Sequence, residues 1–206
     1  MNKGAFDMIT HFYLVRHGET DWNKSQRLQG HTDIPLNETG RKQAEKIGKR
    51  MANLPLQVIC SSDLERARKT AEEIYKYHTQ CVFTIPKELR ERCYGEWEGM
   101  TFGEIQKKFP EQQKGKVMSG KAGIETLEDL KSRGNRELQR LAEKYRGQHI
   151  AVVSHGGFIN AVLHLYSNGL HGTGITKMGN TAFNHLSYEK EAWMIHTVND
   201  TTHLNE

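Results

Sequence analysis

Residues 12–20 read Phe12-Tyr13-Leu14-Val15-Arg16-His17-Gly18-Glu19-Thr20. The apolar run stops abruptly at Arg16. That pattern predicts a buried strand followed by a loop that carries a guanidinium, an imidazole and a residue without a side chain. In open α/β sheets, ligands bind just outside the carboxyl ends of the strands. An arginine there suits a phosphate, because its planar fork donates two parallel hydrogen bonds. Gly18 lets a ligand approach the backbone closely. His17 is of a residue type that serves as a nucleophile, splitting one hard transfer into two easier ones.

The pattern recurs twice. Val58-Ile59-Cys60 leads into Ser61-Ser62-Asp63-Leu64-Glu65-Arg66, and Ile150-Ala151-Val152-Val153 leads into Ser154-His155-Gly156-Gly157. If the three strands are parallel, Arg16, His17, Arg66 and His155 arrive at one edge of one sheet. Such a group fits a dianion, and phosphate is the commonest one.

Strand and helix patterns alternate along the chain, which predicts an α/β fold with a mainly parallel sheet covered on both faces, a three-layer α/β/α sandwich. Helical spacing appears over 39–52 (Ala44, Ile47, Met51), over 64–77 (Ala67, Ala71, Ile74, Tyr75) and over 126–145 (Leu127, Leu130, Leu138, Leu141, Tyr145). Ser62 followed by Glu65 reads as a capping box at the start of the second helix. Arg66 then falls in its first turn, where free backbone N–H groups also favour an anion. Val82–Ile85 reads as a strand ended by Pro86. Residues 181–188 and 192–198 read as an antiparallel hairpin at the sheet edge. From about Tyr94 to Ile124 the alternation breaks, and one short amphipathic piece, Phe102 to Phe109, is stopped by Pro110. This segment is expected to be a lid over the strand ends. Trp97 and Phe102 are either substrate contacts or the small core of that lid.

A chain of 206 residues is expected to form one domain spanning 1–206 with a real core. No apolar run approaches the length that crosses a bilayer, and Met1 to Thr10 lack the apolar stretch of a signal peptide. Cys60, Cys81 and Cys93 have no metal-ligand spacing. Cys60 reads as a buried hydrophobe, and a cytoplasmic location is the natural expectation. The net charge of +4 is interspersed with glutamates, as in Glu45-Lys46, where a nucleic-acid footprint would be a concentrated stripe. Neither a nucleic acid nor a membrane is expected as a partner. No His-x-x-x-His pair or carboxylate cluster predicts a metal. His149 and His155 stand at opposite ends of one strand, and His164, His171, His185 and His196 look scattered.

Arg16-His17-Gly18-Glu19-Thr20, with Asn23, Gln29-Gly30 and Pro35-Leu36-Asn37-Glu38-Thr39-Gly40, resembles the histidine phosphatase superfamily, the phosphoglycerate mutase-like family. Ser61 to Ala67 resembles its second-arginine segment, Leu89 to Gly95 its acid segment and Ser154 to Gly157 its second-histidine segment. Asn199-Asp200 with His203-Leu204 resembles its tail. The resemblance spans nearly the whole chain in the family's order. It implies the phosphoglycerate mutase-like fold and a phosphomonoesterase that acts on small-molecule phosphate esters without a cofactor or a metal. It implies that His17 is phosphorylated, that Glu91 is the general acid and base, and that Arg16, Arg66 and His155 hold the phosphate. It further implies that Thr20, Asn23, Gln29, Gly30 and Gly156 line the phosphate or substrate pocket.

Charge considerations give these roles physical content. Arg16 and Arg66 favour a neutral His17, since a like charge disfavours the imidazolium. His155, if protonated when the substrate dianion is present, adds a further donor to the transferring group. Glu88, Glu96 and Glu98 compete with Glu91 as carboxylates near the site. The alternative reading is a cofactor-dependent phosphoglycerate mutase. Those enzymes usually carry a lysine shortly after the Tyr-Gly and a paired Arg-Arg in the insert. Here Phe102 stands near the lysine's place, and the insert has Lys107-Lys108 but no arginine pair. A catalytically dead phospho-ligand module is a third reading, and it would be marked by loss of His17 or Glu91. Neither is lost.

Overall fold

A computed structural model describes residues 8–110 and 123–205. Six strands form one sheet: β1 (Thr10–Arg16), β2 (Val58–Ser61), β3 (Val82–Thr84), β4 (His149–Ser154), β5 (Phe183–Glu189) and β6 (Ala192–Asp200). Their order across the sheet is β3-β2-β4-β1-β5-β6. The pairs β3–β2, β2–β4 and β4–β1 are parallel, whereas β5 and β6 form the antiparallel hairpin expected at the edge. The helices are α1 (Asp21–Lys24), α2 (Glu38–Met51), α3 (Glu65–Tyr75), α4 (Phe102–Lys108), α5 (Leu127–Lys144) and α6 (Gly156–Tyr166).

Successive residues of a strand point to opposite faces, so a strand covered on both sides is apolar throughout. Phe12 and Leu14 of β1 face one core with Ile150 and Val152 of β4 and with Leu138, Phe158 and Val162 of α5 and α6. Tyr13 and Val15 face the other with Ile47 and Met51 of α2 and Ala67, Ala71 and Ile74 of α3. The helices thus lie in pairs on the two faces. Cys60 is fully buried in the first core, as expected.

The predicted capping box at Ser62 does not form. Leu64 is the residue that precedes α3, and it makes no side-chain cap. The N–H of Glu65 is taken by the Asp33 carboxylate at 2.8 Å. Ser62 is instead drawn to His155, 2.8 Å away. A tertiary partner outcompetes the local cap.

In the segment expected to be a lid, 111–122 lie outside the described residues. Trp97, Ile105 and Ile124 pack together as a small third core. Trp97 is 5% exposed and Phe102 is 67% exposed. Trp97 is therefore the core residue of the pair.

Two of the histidines that look scattered in sequence come together. His185 and His196 stack at 4.5 Å, His11 and His149 at 4.6 Å, and His11 Nδ1 lies 3.0 Å from His185 Nε2. The Tyr13 hydroxyl meets His149 Nδ1 at 2.8 Å. Strand pairing brings β1, β4, β5 and β6 side by side, which no linear reading registers. Burial, followed by the neighbouring imidazoles, lowers the pKa of His185 to about 4, and His11 and His149 are lowered in the same way. In the unfolded chain these groups protonate near 6.5, so between there and about 4 the unfolded chain binds more protons. Stability is therefore expected to fall as pH drops through that window. Thermal denaturation from pH 7.5 to 4.5 measures this, and His185→Gln should flatten the slope. A melting temperature independent of pH over the range would contradict the assignment.

Candidate active site

The parallel register sets Arg16 beside Ser154 and Ser61 beside Val153. The loops after β1, β2 and β4 therefore leave from one edge, as the sequence pattern requires. A cavity of about 480 Å³ opens there, with Arg16, His17, Arg66 and Glu91 in its wall. Asn23, Gln29, Gly30 and Gly156 line it as well. The loop after β1 is pressed tightly onto α2. A Cβ on Gly40 would come within 2.0 Å of the Glu19 carbonyl oxygen, and one on Gly18 within 2.4 Å of that of Gly40.

Thr20 and His155 are not exposed to the cavity. Thr20 is fully buried and caps α1: its hydroxyl accepts the Asn23 N–H at 3.1 Å while Asn23 Oδ1 accepts the Thr20 N–H at 3.1 Å. The expectation that Thr20 lines the pocket is corrected in this sense, since it shapes the cavity through Asn23. His155 is also fully buried, its ring 5.1 Å from that of His17.

His17 Nδ1 lies 2.7 Å from the carbonyl oxygen of Gly18. A carbonyl only accepts, so the proton sits on Nδ1 and Nε2 carries the lone pair. Burial holds the imidazole pKa well below its ordinary value, and the Arg66 and Arg16 charges push the same way. The ring is neutral at physiological pH.

Burial first, then Arg66, His17 and Arg16, hold the pKa of His155 well below the ordinary value. Without a dianion beside it the ring is neutral. Its Nε2 lies 2.8 Å from Ser62 Oγ, and that oxygen also accepts the Leu64 N–H at 3.4 Å. The other ring nitrogen, Nδ1, is a buried atom without a partner among the described residues.

The two arginines are held by backbone rather than by carboxylates. Arg66, fully buried, donates to the carbonyl oxygens of Gly30 at 2.8 Å and Thr32 at 2.9 Å. Arg16 donates to the Met178 carbonyl at 2.6 Å. The Nε atoms of both are buried without a partner. Desolvation lowers the pKa of Arg66 to about 10, which leaves it charged. Two cations are thus aimed at one cavity without a carboxylate hydrogen-bonded to either among the described residues.

Of the four competing glutamates, Glu91 is the one in the cavity wall. Its Oε1 accepts the N–H of Arg92 at 2.8 Å and of Phe158 at 3.0 Å, and its Oε2 that of Gly157 at 2.9 Å. The carboxylate therefore sits on the N-terminal end of α6, where the helix dipole favours an anion. Glu98 instead accepts the N–H groups of His31 and Thr32, which shapes the turn after Gly30.

The sequence reading missed Asn160, Arg27, Tyr94 and residues 176–178, all in the cavity wall. A signal existed for Asn160: it lies four residues after Gly156, hence on the same face of α6. The irregular chain at 176–178 carries no periodicity to read. No helix among the described residues is long and apolar enough to cross a membrane.

The family model described as histidine phosphatase superfamily (branch 1) matches residues 12–201. An uncharacterized phosphatase, PhoE, of Bacillus subtilis (strain 168) is 35% identical over 96% of this chain and 98% of its own length. A metal-independent phosphoserine phosphatase of Arabidopsis thaliana is 33% identical over 96% of this chain and 84% of its own. Among solved structures, Bacillus stearothermophilus YhfR superposes with a TM-score of 0.87 at 27% identity, covering 95% of this chain and 99% of that one. With the site's geometry matching the motifs that first suggested it, the chain belongs to the histidine phosphatase superfamily.

Proposed function

We propose that this chain is a phosphomonoesterase that hydrolyses small-molecule phosphate esters through a phosphohistidine at His17. The observation that carries the reading is the neutral His17, its Nε2 lone pair available, beside two desolvated arginines, neither of them hydrogen-bonded to a carboxylate among the described residues. A phosphate dianion fits between these cations. The phosphatase relatives, one of them named as metal-independent, support the same class.

Arg16, Arg66 and His155 hold the non-bridging oxygens. His17 Nε2 forms a bond to phosphorus as the ester P–O bond breaks, and Glu91 gives its proton to the departing oxygen. Glu91 then takes a proton from water, which attacks phosphorus and releases phosphate and His17. Positioning and charge stabilisation supply most of the acceleration in such transfers. Phosphate release from a panel of esters tests the reading. Turnover is expected to survive a metal chelator and to be inhibited competitively by vanadate. Failure to hydrolyse any ester overturns it.

The place of Glu91 yields a sharper expectation. A Cβ on Gly157 would lie 2.4 Å from Glu91 Oε1. Gly157→Ala therefore displaces the carboxylate without altering any charged group. A well-placed general acid contributes typically 10²–10⁴-fold. We expect a loss on the order of 10²-fold for alkyl esters and a much smaller one for nitrophenyl phosphate, whose leaving group needs no proton. Equal losses on both would show that Glu91 is not the acid.

The mutase alternative needs additional cations to retain a bisphosphorylated intermediate. Phe102, near the place of the mutases' lysine, forms an exposed apolar part of the cavity wall. Of the lysines that could substitute for those cations, Lys107 and Lys108 stand in the last turn of α4 and do not line the cavity, and Lys114, Lys116 and Lys121 lie outside the described residues.

A further inference from the structure

Residues 90–94, which carry Glu91, belong to no helix or strand. The position of Glu91 therefore depends on bonds from elsewhere in the fold. Every carbonyl from 88 to 91 is held by a side chain. Ser154 Oγ donates to the Leu89 oxygen at 2.7 Å. The other three converge on one residue of α5, Arg133. Its Nη1 donates to the carbonyl oxygens of Glu88 at 2.6 Å and Arg90 at 3.0 Å, and its Nη2 to that of Glu91 at 3.3 Å. His31 Nε2 approaches the same Glu91 oxygen at 2.9 Å. The remaining donors of Arg133 go to Glu125, Nε to Oε1 and Nη2 to Oε2, each at 2.9 Å. All five N–H groups of the guanidinium are thus engaged. Glu125 is itself bonded to the next residues of the loop. Its Oε2 accepts the Cys93 N–H at 3.2 Å, its own N–H donates to the Cys93 carbonyl at 2.9 Å, and its carbonyl accepts Arg92 Nε at 2.7 Å.

Arg133 does not line the catalytic cavity. It lines a separate cleft with Glu88, Arg136, Glu137 and Arg140. Its route to the chemistry runs through Glu91. The backbone of Glu91 hangs on α5 through Arg133, while its carboxylate rests on the N–H groups of Gly157 and Phe158 in α6. The two helices are in close contact. A Cβ on Gly134 would lie 2.7 Å from Val162 Cγ1 and 3.3 Å from the Phe158 ring, and the Arg133 guanidinium carbon lies 5.9 Å from the centre of that ring. That contact leaves little play between the two attachments. A general acid must stand within hydrogen-bond reach of the atom it protonates, and a misplacement of about 1 Å can cost about 10²-fold.

Resting on the hydrolase reading above, we propose that Arg133, braced by Glu125, is the positioning residue for the general acid. It sets the path of the backbone at 88–91 and thereby where the Glu91 carboxyl group meets the departing oxygen. Only a planar fork of donors serves three carbonyls and a carboxylate at once; a lysine ammonium is a compact point charge that cannot.

The test is a ratio: kcat/KM for the alkyl phosphate hydrolysed fastest in the panel, divided by kcat/KM for nitrophenyl phosphate, whose leaving group needs no proton. An unfolded fraction lowers both values alike and cancels, so a merely structural role leaves the ratio unmoved. Arg133→Met should lower it by roughly 10–10²-fold. The loss is smaller than for Glu91 itself, because Ser154 and His31 still hold the loop. Arg133→Lys should recover only part of it. Glu125→Gln, which keeps the shape but loosens the guanidinium, should shift the ratio the same way by less, and it serves as the test where Arg133→Met does not fold. Inhibition by inorganic phosphate should stay close to wild type in all three, since Arg16 and Arg66 are held by Met178, Gly30 and Thr32. In a Gly157→Ala background, Arg133→Met should lower the ratio by less than it does alone, as expected of two changes that act through one group. A wild-type ratio in Arg133→Met or in a folded Glu125→Gln, while Gly157→Ala lowers it, would overturn the proposal and leave the hydrolase reading intact. A ratio that Gly157→Ala also leaves unchanged removes Glu91 as the acid and this inference with it.

Discussion

Replacing His17 by alanine should lower phosphate release by roughly 10⁴–10⁶-fold, the range found when a covalent nucleophile is removed from an otherwise intact site. The size of the effect follows from what the geometry makes of this one ring. The Gly18 carbonyl fixes the proton on Nδ1, burial and two arginines keep the ring neutral, and Nε2 is left as a nucleophile. No other group among the described residues of the wall combines these features: Glu91 is engaged with the start of α6, and His155 has its Nε2 against Ser62. Rapid quench of the wild type with labelled substrate should trap phosphate that is stable to alkali and labile to acid. The variant should trap none. A His17→Ala protein with wild-type turnover would exclude the phosphohistidine route.

The second large effect is expected at Arg66. Arg66→Met should lower kcat/KM by on the order of 10²–10³-fold, the scale of losing one preorganised donor to a developing anion. Two properties place Arg66 at this level. It is fully buried, so its field is weakly screened, and its side-chain bonds go to the neutral carbonyls of Gly30 and Thr32 rather than to a carboxylate. Burying a cation in this way is costly unless a partner charge arrives. Bound phosphate or vanadate should therefore raise the melting temperature of the wild type, by mass action on the folded state. The rise should shrink in Arg66→Met. Arg66→Lys should recover little, because a single ammonium cannot hold both carbonyls and the ligand at once. Wild-type kinetics in either variant would remove Arg66 from the phosphate site.

The sequence by itself determined the layers, the strand ends and the motif residues. Phe12–Val15, Val58–Cys60 and Ile150–Val153 are apolar without interruption because each is covered on both faces, and that property is written in consecutive residues. A strand end is equally local, so Arg16, His17, Arg66 and His155 were legible as a convergent set once the strands were taken as parallel. The edge hairpin and the buried Cys60 followed from the same one-dimensional periodicity.

What only the tertiary structure decided concerns pairings between distant segments. Ser62 leaves its helix cap for His155, and burial together with the neighbouring cations holds that imidazole neutral in the absence of a dianion. Protonation depends on desolvation and on charges gathered from three loops, none of which a motif encodes. Thr20 carries a motif position yet is turned inward, because its hydroxyl closes the α1 cap with Asn23. The histidines at 11, 149, 185 and 196 stack only because β1, β4, β5 and β6 become neighbours in the sheet. The chain at 176–178 reaches the cavity wall because side-chain bonds from Asn160 and Arg16 to its backbone carbonyls, rather than sequence pattern, hold it there.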